Sequence, residues 1–178
     1  MNLDEIAHDP VPVEHVSVWT RSHRDESLCH VGIRAQFKGT NACITNQIAG
    51  GLMSVAEAAE SIWYGEADRC VAIGHDTILE PETVFYYDKL GLMSRGLPRP
   101  FDVSRDGIVL GEGSGAVTLE KAVDAETRGA TVLGEILGHG AVTEATGVTE
   151  IADTGDGVAR AVRLSLENAG VGPSEIGM

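Results

Sequence analysis

The chain has 178 residues, 13 Lys and Arg against 27 Asp and Glu, and a formal charge of −14, which is one domain's worth of acidic polypeptide and a poor composition for a nucleic-acid binder. Apolar residues make up 43% and aromatic residues only 4%, alongside 22 Gly, so the core is expected to pack Ala, Val, Ile and Leu in close α/β layers. No stretch approaches the roughly 18 apolar residues of a membrane span and the first five residues carry no basic region, so a soluble, cytoplasmic protein without a membrane partner is expected.

In chain order, residues 1–30 are poorly patterned, with Pro10, Pro12 and four of the six histidines (His8, His15, His23, His30). The patterned part is expected to run over residues 31–178. Leu28, Val31, Gly32 and Ala35 recur at spacings of three and four, compatible with a short helix or a helix-to-strand passage. Lys38-Gly39-Thr40 is a turn signal, and the run Asn41 to Asn46 is short enough for a buried strand. Over residues 49–64 the positions Leu52, Val55, Ala56, Ala59, Ile62 and Trp63 form a helical stripe, closed by Gly65. A buried strand follows at Arg69 to Gly74, completing a strand, helix, strand unit of the kind that crosses over to a parallel partner.

Residues 77–107 form a long connection with Pro81, Pro98 and Pro100 and a helical piece near Glu82 to Lys89; connections of this length usually cover or serve a site. Ile108 to Glu120 reads as a glycine-loosened strand entering a regular one. A short helix is expected from Lys121 to Arg128, a strand from Thr131 to Gly138, and a helix from Gly157 to Ala169 stopped by Gly170. The fold class is therefore α/β, alternating and without an internal repeat.

Most chemical motifs have bland alternatives. Gly111-Glu112-Gly113-Ser114-Gly115 lacks the spacing of a dinucleotide fingerprint and the Lys of a P-loop, and reads as a strand bulge or close packing. His75-Asp76 are adjacent on a strand and point to opposite faces, which disfavours an acid/base dyad. Cys29, Cys43 and Cys70 form no CxxC and the His no HxxxH, so no disulfide scaffold, metal site or cofactor is expected. Cys43 lies shortly before a helix, whose N-terminus favours a thiolate; it also reads as a small buried strand residue.

Taken together, Trp63-Tyr64-Gly65-Glu66-Ala67-Asp68, Arg99-Pro100-Phe101-Asp102-Val103-Ser104-Arg105-Asp106-Gly107 and Leu110-Gly111-Glu112-Gly113-Ser114-Gly115-Ala116-Val117 resemble the β-ketoacyl synthases of fatty-acid and polyketide assembly. The likeness runs from about Val31 to Met178. It implies an incomplete thiolase-like layered fold, part of the N-terminal of two similar α/β halves. In the family a cysteine at a buried helix N-terminus accepts an acyl group, with two histidines of the second half assisting condensation. The helix dipole and an imidazole favour the thiolate, and the helix amides offer oxyanion donors.

Counting from Gly39-Thr40-Asn41 and back from Tyr64-Gly65-Glu66 places Ile48 at the cysteine position, and isoleucine is no nucleophile. Gln47, Ile48, Ala49, Gly50, Gly51 and Leu52 look closer to chain-length-factor subunits, ketosynthase-like partners that have lost the cysteine. The resemblance further implies that the opening strands and the histidine region lie outside this sequence. Asn41 to Asn46 would form a dimer contact, and Cys43, Asn46, Gln47, Ile48 and Ala49 would line a tunnel or interface. Phe101, Asp102, Arg105, Asp106, Gly107, Gly111, Glu112, Gly113 and Gly115 carry the structural motif.

Three readings follow: a non-condensing subunit or fragment pairing with another ketosynthase-type chain, as heteromer or homodimer; an acyltransferase using Cys43 with histidines supplied in trans; or an inactive relic. Acyl carrier proteins are acidic, so a −14 chain would meet one only indirectly, unless Arg95, Arg99 and Arg105 form a local patch. Tethering of the covering loop through Asp102 or Asp106 is the blander role for these arginines.

Overall fold

The computed structural model describes residues 16–21, 26–147 and 150–177. The chain divides into two compact units, one ending at Ala122 and the other beginning at Val123.

In the first unit, β1 (Val16–Arg21), β2 (Asn41–Cys43), β3 (Arg69–Thr77) and β4 (Glu112–Glu120) form one sheet in the order β2-β1-β3-β4. β1 is parallel to both β2 and β3, with Val18 opposite Asn41 on one side and Val71 on the other. β4 runs antiparallel to β3, so that Cys70 faces Leu119 and His75 faces Ser114. Helices α1 (Glu26–Ala35) and α2 (Gly50–Trp63) complete the layer. The strand, helix, strand expectation holds in direction, because β2 and β3 are parallel to the same neighbour. They do not pair with each other, since β1 lies between them. That strand falls inside the stretch 1–30 that patterning left without structure; its six residues VSVWTR alternate too weakly to declare a strand until neighbours pair on both edges.

Two apolar clusters hold this unit. Val18, Leu28, Val71 and Ile73 form one, and Ala58, Ile62, Ala67, Cys70 and Ala72 the other. Of the expected stripe of α2, Ala56, Ala59 and Ile62 are buried and Val55 partly so, while Leu52 and Trp63 depart from it. The buried face of the helix carries Ser54, Ala56, Ala58, Ala59, Ser61 and Ile62, whereas Leu52 is 81% exposed and Trp63 half-exposed. Close approach selects the small residues: a Cβ on Gly74 would lie 3.3 Å from the Gly51 Cα, leaving no room for large side chains between helix and sheet. The Ser54 hydroxyl satisfies itself on the Gly51 and Ile73 carbonyls at 2.8 and 3.4 Å.

β4 corrects a further expectation. Glu112 to Glu120 pair one-to-one with Thr77 to Arg69, without a bulge, and nothing lies within 4 Å of a Cβ placed on Gly111, Gly113 or Gly115. Among the described residues these glycines therefore serve no close approach. Helix α3 (Pro81–Lys89) sits in the long connection where a helical piece was expected, and none of its residues is buried.

The second unit contains α4 (Ala122–Thr127, whose first residue ends the first unit), ended by Gly129 with φ 71°, and α5 (Asp156–Ala169), ended by Gly170 with φ 68°. Both glycines adopt the left-handed conformation that terminates helices at least cost. The strand expected at 131–138 joins no ladder among the described residues, because a strand is defined by a partner that local sequence cannot supply.

Candidate functional site

α2 is preceded by a 3-10 turn, Gln47–Ala49, held by the Ala49 N–H donating to the Asn46 carbonyl at 3.1 Å. Ile48 lies at the middle of that turn and is 93% exposed; Asn46 and Ala49 are exposed beside it. Ala49 caps α2 without a side-chain hydrogen bond, and the first turn carries no acidic residue. The first amides of a helix have no intrahelical acceptor and carry the positive end of the dipole. A nucleophile at position 48 would be activated here; an isoleucine presents only an apolar branch.

Cys43 is elsewhere. It ends β2, five positions earlier, partly buried against the cluster of Val18, Leu28, Val71 and Ile73. The structure thus brings Asn46, Gln47, Ile48 and Ala49 together at the helix entrance and puts Cys43 on the sheet.

At the far end of β3, His75, Asp76 and Thr77 line a shallow open groove with Glu112, Gly113 and Ser114 of β4. His75 and Asp76 follow each other along one strand and so take opposite faces. Gly51 and Gly74, in contact across the layers, bring this strand end beside the start of α2.

The motif loop is fixed by polar contacts. Ile108 is bonded on both sides to the segment 92–94: Ser94 N–H donates to the Ile108 carbonyl and Ile108 N–H to the Leu92 carbonyl, both at 2.8 Å. Gly107 sits inside this closure with φ 144°, and a Cβ there would come within 2.6 Å of the Leu92 oxygen and the Ser94 nitrogen. Arg99 pairs with Asp106 at 3.0 Å, the Ser94 hydroxyl donates to Asp106 at 2.7 Å, and the Arg105 guanidinium donates to the Asp102 carbonyl at 3.0 Å. Bonds from the Ser104 hydroxyl and amide hold the Asp102 carboxyl below its ordinary pKa, and Ser94 first, then Arg99, do the same for Asp106. The tethering role for Arg99 and Arg105 matches these contacts. Phe101 and Val103, both fully exposed, stand at the tip of the loop, Phe101 at a φ of 64°.

Pattern reading missed one residue of consequence. Arg69, 2% exposed, pairs with Glu120 at 2.9 Å across β3 and β4. The signal was available: an Arg opening one apolar strand and a Glu closing another. Among the described residues no group of three or more His, Cys, Asp or Glu is placed to hold a metal ion, and no helix is long and apolar enough to cross a membrane.

The sheet and helices are those of a ketosynthase, a thiolase-like fold. The chain superposes with a TM-score of 0.85 at 23% identity on a type II polyketide synthase ketosynthase solved with its acyl-carrier protein and bound to the hexaketide, covering 98% of this chain and 54% of that one. On the ishigamide ketosynthase/chain length factor the TM-score is 0.80 at 24% identity, covering 91% and 48%. Residues 6–125 match the family model described as Beta-ketoacyl synthase, N-terminal domain, and the chain belongs to that family. The mitochondrial 3-oxoacyl-[acyl-carrier-protein] synthase of Arabidopsis thaliana is 32% identical over 154 residues, 83% of this chain and 33% of that protein. The chain spans about a third of the length of the curated relatives it matches.

Proposed function

We propose that the chain is a ketosynthase-like, non-condensing subunit or fragment of a fatty-acid or polyketide β-ketoacyl-[acyl-carrier-protein] synthase system, acting by pairing with another ketosynthase-type chain. The observation that carries this reading is Ile48, which stands in the turn that opens α2 while Cys43 is packed on the sheet. An isoleucine there can line or plug an acyl tunnel with Gln47, Ala49 and Asn46, and it cannot form a thioester. The outer position of β2 in the described sheet and the chain-length-factor neighbour support a ketosynthase-type partner. With a charge of −14, contact with an acyl carrier protein would run mainly through that partner. A cytoplasmic site of action is part of the same proposal.

Size-exclusion chromatography with light scattering tests the pairing. Stable association with a ketosynthase-type chain is expected, and a compact, well-folded monomer indifferent to such chains would sink it. Mass spectrometry after incubation with an acyl thioester tests the chemistry in the same preparation. No adduct is expected on the chain; acylation at Cys43 with a partner present would replace this reading by that of an acyltransferase completed in trans. A chain that neither pairs nor acylates is an inactive relic.

A further inference from the structure

We draw no further inference here: the strongest candidate, the shallow groove where β3 ends and β4 begins, with His75 and Thr77 on one face of the sheet beside Ser114 and Glu112, belongs to the site already described, and nothing in the structure shows what covers it.

Discussion

In the unit that ends at Ala122, a four-stranded ladder leaves Ala58, Cys70 and Val71 fully buried and Val18 and Ala72 at 2% exposure. In the unit that begins at Val123, Ala125 and Gly157 are the buried positions among the described residues, while Leu133, Ile151 and Val158 stay largely exposed. Both contain amphipathic helices. The difference is that the first unit holds a four-stranded sheet, while among the described residues the second holds helices and no strand. A sheet is stabilised by pairs across strands, and the ladders among the described residues all lie in the first unit. Stability should therefore be concentrated in the first unit, and amide hydrogen exchange in the second.

Breaking the first unit should give the largest effects. Arg69→Ala would remove the guanidinium paired with Glu120 at the β3 and β4 pairing, where both groups are nearly buried; loss of one partner of such a pair costs about 3–5 kcal/mol. Urea denaturation followed by circular dichroism should show that loss, and an unchanged midpoint would mean the pair is hydrated. Ile62→Ala removes the largest aliphatic side chain of the cluster under α2, with an expected cost of about 2–5 kcal/mol. Neither variant should alter exchange at 131–138. Parallel changes there would show the two units to be one cooperative body.

The second unit is broken through its glycines. Gly140→Ala puts a methyl group into the Ala161 carbonyl and the Ser165 amide, and overpacking of this kind costs about 1–3 kcal/mol. Exchange along α5 should accelerate while the sheet of the first unit stays protected. The motif loop has its own version in Gly107→Ala, where the clash is with backbone at Leu92 and Ser94. Loss of the Met93 to Ile108 bridge, read as faster exchange of the Ser94 and Ile108 amides, is the expected outcome.

The same contrast separates what could be read from the sequence from what could not. α2, α3 and α5 were legible because helical periodicity and stop signals such as Gly65 and Gly170 are local. The three motifs carried the family. Counting put Ile48 near the start of a helix, and the structure has it in the turn that precedes α2, with Cys43 on the sheet. β1 escaped because its strand character comes from neighbours on both sides. The buried face of α2 was misjudged at Leu52 and Trp63 for a related reason: hydrophobicity favours Leu52, but contact of Gly51 with Gly74 admits only small residues. The pattern of 131–138 was read as a strand, and that it joins no ladder among the described residues could not be foreseen, because pairing is a property of what lies alongside.

The smallest expected effect is a pH dependence confined to the motif loop. Asp102 and Asp106 have folded-state pKa values below the ordinary aspartate value of 3.8, through hydrogen bonds from Ser104 and from Ser94 and Arg99. A carboxyl with a depressed folded pKa binds fewer protons when folded than when unfolded. Its stabilisation is present in full above the ordinary value and is lost as the pH falls through the depressed one. Both groups are exposed, so solvent screens the contribution, and the global unfolding midpoint should barely respond. The signature is local. Below about pH 4 the backbone amide of Ser104, which donates to Asp102 at 2.7 Å, should begin to exchange faster relative to its intrinsic rate, ahead of any change in β3. Asp102→Asn should keep the geometry and abolish that pH dependence, since the amide oxygen still accepts but does not titrate. Loss of protection in β3 at the same pH would instead show that the loop and the sheet titrate together.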